Sequence, residues 1–269
     1  TIVHGRVSMW SGGILPNAGA GRSGNLYVYG VLQHRASGTM NGLYGSGNLY
    51  NPGSAAVTYT IGDGNANGDF SGAITQFGVV SVTKIGTGTQ ILSGDSTYTG
   101  ATTINAGKLQ VDGSLSASSA VTVNSDGTLG GSGTVGAVTV NDGGHLAPGS
   151  SPGTLNTGTL VLNAASVLDF ELGSLTGAND KVAVDGDLTL DGILNVTALT
   201  GFQAGQYTLL TYTGSLTDNG LSLGTMPGAF TYSIDTATSG SVILNVVPEP
   251  ATMAILALGG LGVILRKRR

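Results

Sequence analysis

The chain has 269 residues, 47 of them glycine, 7 proline and none cysteine, with 9% charged and 40% hydrophobic. That balance excludes simple disorder, which needs low hydrophobicity and high net charge, and the missing G-X-Y period excludes collagen. The formal net charge is −5, and the body before residue 247 carries −8 because the tail holds four basic residues and one acid; an acidic body argues against nucleic-acid binding, and the lack of cysteine excludes disulfide frameworks, thiolate metal sites and cysteine nucleophiles.

Thr1 opens a stretch without the basic region and continuous apolar core of a secretory signal, so the expectation is a removed leader or a fragment. Residues 1–58 read as a Gly-rich β region forming N-terminal coils or a cap. NLYVYGVL (25–32) alternates like a strand, and GLYGSGNLYNPG (42–53) reads as two tight turns around short extended pieces. Tyr27, Tyr29, Tyr44 and Tyr50 suit half-buried strand positions and could also stack on sugars. The single tryptophan, Trp10, also lies here.

Asp63, Asn65, Asn67 and Asp69 stand at the spacing of the first half of a calcium-binding loop. The twelfth position of that loop, which needs a bidentate Glu, is Ile74, so the stretch is a candidate metal site of the weakest kind and reads first as a turn.

From residue 59 to about 200 the pattern is that of β-helix repeats. TTINAGKLQV (102–111), VTVNSDGTLG (121–130) and VTVNDGGHLA (138–147) each give a β-branched strand, an Asn, a turn with Gly, and a Leu in extended context. Side-chain alternation puts Val121, Val123, Val138 and Val140 on one face, stacked inward on coils about 4.8 Å apart. Gly107, Gly127 and Gly144 are expected at positive φ. Asn105, Asn124 and Asn141 are in register for a hydrogen-bonded ladder. Strand-rich units follow at 158–173, 181–196 and 206–216, and residues 201–246 supply terminal strands or a cap, including SVILNVV (241–247). No amphipathic helix is expected before residue 251.

Asp169, Glu171, Asp180, Asp185, Asp187 and Asp191 form the densest acidic stretch and the best enzymatic candidate, since paired carboxylates cleave polysaccharides. Most sit beside Gly or Asn, as turn residues do, with only Lys181 nearby. His4, His34 and His145 are isolated, with no acidic partner evident, and His145 reads as an outward substitution in the repeat. GGSG (130–133) and NDGG (141–144) open no helix and lack the Lys of a phosphate cradle.

Residues 82–111 carry Thr83, Lys84, Gly86, Gly88, Thr89, then Leu92-Ser93-Gly94, Tyr98-Thr99-Gly100, and Gly107 with Leu109. This stretch resembles the autotransporter-associated β-strand repeat, with TIGDGNANGDFSGAI (60–74) like its usual lead-in. The resemblance implies an all-β, right-handed parallel β-helix displayed on a Gram-negative-type cell surface. The C-terminal end does not resemble the β-barrel that carries autotransporter passengers outward. It is similar instead to the PEP-CTERM sorting signal: Pro248-Glu249-Pro250, an apolar stretch over 251–265, then Arg266, Lys267, Arg268 and Arg269. That resemblance implies an exosortase-type sorting protease as partner.

The apolar stretch would be about 22 Å long as a helix, short for a permanent span. The basic end should stay cytoplasmic, placing the body on the far side of the inner membrane, so the tail is expected to be a transient transmembrane helix and an address. Three functions remain open. The chain is a non-catalytic exported surface protein, structural or adhesive and associated with exopolysaccharide or biofilm matrix; or a carbohydrate-active β-helix enzyme, lyase or hydrolase; or an adhesin with Ca²⁺ at 63–69. No cofactor is expected. The enzyme reading requires Asp180, Asp185, Asp187 and Asp191 on one face within about 10 Å.

Overall fold

The structure, a computed structural model, describes residues 24–249 and, as backbone strands, Ile2–Val3 and Arg6–Met9. Every helix or strand element among the described residues is a β-strand. Alternation of β-branched and small polar residues fixes the local choice. Val121–Val123 and Val138–Val140 each bury both valines and leave the central threonine half-exposed. Such a strand cannot bury its apolar side alone, so it stacks on the equivalent strand of the next coil.

Three faces result. The first is a nine-stranded parallel sheet from Gly38–Met40 to Leu216–Asp218, and the second an eight-stranded parallel sheet from Gly68–Phe70 to Ser222–Leu223. A bridge from Gly45 to Phe70 joins the second sheet to Leu43–Tyr44, Leu26–Val28 and Ile2–Val3. The third face opens with Arg6–Met9, Val31–His34, Asn48–Asn51 and Ala73–Gln76. It then narrows to single bridges through Asp95, Ser114 and Thr134, and widens again at Thr154–Thr157 and Lys181–Val184. The fold is an all-β solenoid of parallel strands. Residues before 59 stack in these same sheets, Thr39 opposite Thr60 and Leu26 opposite Leu43.

The core is a set of inward columns. Tyr59, Val82, Thr102, Val121, Val138 and Leu160 align in the first sheet, and Leu109, Leu129, Leu146, Leu168 and Leu194 in the second. Each apolar member is buried, contributing roughly 1.5–3 kcal/mol. The inward assignment of Val121, Val123, Val138 and Val140 therefore holds.

The corner after the first sheet carries the asparagine ladder. Asn124 Nδ2 donates to Asn105 Oδ1 at 2.7 Å, and Asn141 Nδ2 to Asn124 Oδ1 at 2.7 Å. Asn163 adds a rung at 3.1 Å that the sequence pattern did not single out. The glycine expectation needs correction. Gly107 has φ of 64°, but in the next two coils the left-handed residue is Asp126 (67°) and Gly143 (75°). The turn there is longer, so the positive φ falls on the residue before Gly127 and on the one before Gly144. Gly127 and Gly144 are required by close approach instead: a Cβ would lie 2.5 Å from the Ile104 carbonyl oxygen and 2.8 Å from that of Val123.

Chain direction reverses at the C-terminal end. Gly205–Tyr212 pairs in parallel with Lys181–Val184, then antiparallel with Ser241–Pro248, which pairs antiparallel with Phe230–Asp235. Phe202 stacks on Tyr207 and meets Phe230 edge-on, at centroid distances of 5.3 and 5.5 Å. None of the described residues forms a helix long and apolar enough to cross a membrane. The candidate transmembrane stretch 251–265, Pro250, Arg266, Lys267, Arg268 and Arg269 lie outside the described residues, as do Trp10 and His4.

Candidate functional surfaces and the sorting motif

The repeat motif at 82–111 is used by the coils themselves. Lys84 continues the inward phase of Val80 and Val82 and is fully buried. Its Nζ donates to the carbonyls of Ile85 (2.7 Å), Gly86 (2.9 Å) and Ala106 (3.2 Å), tying two successive corners together. Burial lowers its pKa to about 8. Tyr98, also fully buried, pairs its hydroxyl with Thr102 Oγ1 at 2.7 Å, and Thr102 pairs with Ser119 at 3.0 Å. Ser119 closes the chain by donating to the Gly100 carbonyl at 2.8 Å. Burial pushes the Tyr98 phenol up to about 12, against the opposing hydrogen bonds from Thr102 and Ser119. Gln90 reaches past Gly68 to Leu43, accepting from its N–H at 3.0 Å and donating to its carbonyl at 2.9 Å. Sequence reasoning missed all three roles; for Lys84 the signal was present, because alternation puts it on the valine side.

The 63–69 turn is also spent on the fold. Asn65 Oδ1 accepts the Thr87 N–H and Asn67 Oδ1 the Thr89 N–H, both at 2.9 Å, on the next coil. Asn67 further accepts the Tyr44 hydroxyl through its carbonyl. Asp69 lies outward and exposed in Gly68–Phe70, and Asp63 is half-buried at the turn. Among the described residues no three or more His, Asp or Glu gather to hold a metal ion.

The acidic stretch is distributed. Asp180, at the start of Lys181–Val184, is buried, accepting from Gly153 N–H at 2.9 Å and Glu171 N–H at 2.8 Å. Burial raises its pKa to about 6, with the two backbone donors opposing. Asp185 follows that strand and accepts from Thr213 Oγ1 at 3.2 Å. Asp187 takes the Ser215 N–H at 2.7 Å, and Asp191 the Gly192 N–H at 2.8 Å in the corner before Ile193–Ala198. Asp185 and Asp187 share the corner before Leu188–Leu190, whereas Asp180 and Asp191 lie at two other corners, and each acid is engaged by backbone or hydroxyl donors.

Two expectations about neighbours are overturned. His145 does have an acidic partner, since its Nδ1 lies 2.6 Å from Asp169 Oδ2 on the next coil, and Asn195 donates to Asp169 Oδ1 at 2.9 Å. The register brings position 169 across from Ala147, two residues on from His145, a diagonal that linear spacing conceals. Nor is Lys181 the only base near the acids. Lys108 lies over Gly130 and, with Asp169, Glu171 and Asp180, lines an outer groove of about 420 Å³ on the second sheet.

Two regular surfaces remain. Down the outside of the first sheet run Thr39, Thr60, Thr83, Thr103, Thr122 and Thr139, one per coil, in unbroken register. The asparagine ladder flanks their lower half. Nearer the amino end, Tyr27 stacks on Tyr44 with centroids 4.8 Å apart, and Tyr29 is half-exposed beside Ser46 and Asp69.

Pro248 ends the strand Ser241–Pro248, and the Glu249 N–H reaches the Ala229 carbonyl at 3.4 Å. Comparison with known proteins gives three findings. Residues 82–111 match the passenger-associated-transport-repeat family, and residues 246–269 the PEP-CTERM protein-sorting motif. A segment of 115 residues is 47% identical to the adhesin BmaC autotransporter of Brucella suis biovar 1 (strain 1330), covering 40% of this chain and 3% of that protein. The PEP-CTERM motif implies processing by an exosortase-type system. With a passenger-type repeat inside the solenoid and a PEP-CTERM sorting motif after it, the chain is an exported protein bound for the cell surface or the extracellular space.

Proposed function

We propose that the chain is a non-catalytic adhesive or structural surface protein whose solenoid associates with exopolysaccharide or biofilm matrix. The observation that carries this reading is the use of the repeat motif. Lys84, Tyr98 and Gln90 are consumed by corners and core, and the outer face of the first sheet, with the corner beside it, holds threonine and asparagine in register. Similarity to part of a protein described as an adhesin supports the same reading. In it, the coils wind right-handed, as parallel crossover connections do. Residues 1–58 form the first coils, 59–200 the repeats, 201–246 the terminal cap and 247–269 the sorting signal. The tail helix 251–265 crosses the inner membrane transiently, with Arg266, Lys267, Arg268 and Arg269 on the cytoplasmic side.

The test has two arms. Purified residues 1–249 are co-sedimented with exopolysaccharide from the producing bacterium, and reducing ends are assayed in the same tubes. Retention without depolymerisation is the expected result; release of new reducing ends would replace the adhesive reading with the enzymatic one. Full chains with the tail intact, deleted, or altered at Pro248-Glu249-Pro250 are fractionated in parallel, and the mass of the carboxyl end is measured. Loss of the tail only from the intact form is expected.

A further inference from the structure

The sorting motif begins inside the folded body. The match starts at residue 246, yet Val246, Val247 and Pro248 are the last three residues of the strand Ser241–Pro248. That strand is central among the antiparallel ones: Gly205–Tyr212 lies on one side and Phe230–Asp235 on the other. The two neighbours do not reach equally far. Pairing with Gly205–Tyr212 stops at Gly205↔Val246, whereas pairing with Phe230–Asp235 continues through Thr231↔Val247 and Phe230↔Pro248. Glu249 adds its bond to Ala229. The backbone that leads into Pro-Glu-Pro is thus held by the outer strand alone.

That outer strand lies at the sheet edge, paired on one side only. None of its side chains is fully buried, and it follows the short exposed strand Ser222–Leu223 and a turn around Gly228. Besides its ladder to Ser241–Pro248 and the partly buried packing of Phe230, Tyr232 and Ile234 on the core, its anchors are Tyr232, donating to the Pro227 carbonyl at 2.6 Å, Phe230 against Phe202, and Thr231 Oγ1 donating to the Val247 carbonyl at 3.4 Å. Elements with few buried contacts open at small free-energy cost. A protein that binds a peptide as an extended strand uses the main-chain donors and acceptors of that peptide. On the motif's upstream side those of Val247 face Phe230–Asp235.

We propose that the strand Phe230–Asp235 is a gate on the sorting motif: the sorting protease gains Val247-Pro248-Glu249 only when this outer strand swings away, so tail removal is coupled to the folding state of the cap. The proposal rests on the PEP-CTERM reading. It adds no chemistry of its own; at the cut one peptide bond breaks, its carbonyl carbon passes to water or to an acceptor amine, and the tail leaves with the new amino terminus.

The absence of native cysteine makes a clean test. In the full chain, Thr231→Cys/Val247→Cys places two thiols on directly opposed residues, with Val247→Cys alone as the control for the motif. Tail loss is followed by pulse-chase in the producing bacterium, with diamide or dithiothreitol added. The oxidised pair should lose its tail about tenfold or more slowly than the control and recover on reduction, since cutting follows the open population. Tyr232→Ala, which loosens the gate, should accelerate tail loss severalfold. An oxidised pair trimmed at the control rate overturns the gate while leaving the sorting reading intact. Retention of the tail by the wild-type chain overturns both.

Discussion

Lys84 offers the sharpest test of how the corners are built. A fully buried ammonium with a pKa of about 8, against an ordinary 10.5, binds its proton less tightly in the folded than in the unfolded chain. Between those two values the unfolded state carries more protons, so stability rises with pH. Below about 8 both states are protonated and the slope vanishes. The whole shift corresponds to about 3 kcal/mol, and the part falling between pH 7.5 and 9.5 to about 2 kcal/mol. The window stops there because Tyr59 and Tyr98, both pushed above the ordinary phenol value by burial, reverse the trend at higher pH. The assay is thermal unfolding of residues 1–249, wild type and Lys84→Met, followed by circular dichroism at both pH values. Methionine removes the charge and keeps most of the volume, so the difference of differences isolates the lysine. Wild type should gain about 4–8 °C relative to the variant on going to pH 9.5. At pH 7.5 the variant should still be the less stable, because three carbonyls lose their donor. Equal pH slopes would refute the reasoning and mean that the three carbonyls hold the ammonium fully charged despite burial.

Three further outcomes can be checked on the same material. Val123→Asp puts an unpaired carboxylate into a fully buried column and should destabilise by several kcal/mol; an unchanged melting temperature would refute the inward stack. Asn141→Ala removes the ladder's rungs to both Asn124 and Asn163 and should cost about 1–2 kcal/mol, whereas Asn105→Ala, at the ladder's end, should cost less. Asp180, raised to about 6, contributes stability that is fully present below its ordinary value of 3.8 and lost as pH rises through 6. Measured against Asp180→Asn in denaturant titrations, wild type should lose about 2 kcal/mol between pH 3.8 and 6, out of about 3 kcal/mol over the whole titration.

The coil was legible because two periods coincide in it. Alternation within VTV gives the inward side, and recurrence of Asn and Leu gives the register, so Asn105, Asn124 and Asn141 could be aligned without coordinates. Positions that depend on the coil's path around the axis were not legible. His145 finds Asp169 24 residues later, and Asp180 finds Gly153 27 residues earlier. Neither separation matches the spacing of 17 or 19 seen in the regular coils. Lys84 is an intermediate case: its phase was visible, but a buried lysine is counter-intuitive until the carbonyls of Ile85, Gly86 and Ala106 are seen to converge on it. The strands of the cap are visible in the sequence, but its reversal of direction leaves no local mark there.

Coil length varies widely while the first two sheets keep step. Equivalent corner residues are separated by 17 at Asn124 and Asn141, by 22 at Asn141 and Asn163, and by 28 at Asp187 and Ser215. Beyond the pinch at Asp95, Ser114 and Thr134, where the third face widens again at Thr154–Thr157, the extra residues leave as excursions such as 173–180. Two faces therefore act as a ruler and the third as slack. Chain can be added or deleted on the slack side without shifting the rungs on the ruled ones, which makes that side the natural place to graft a peptide onto this scaffold.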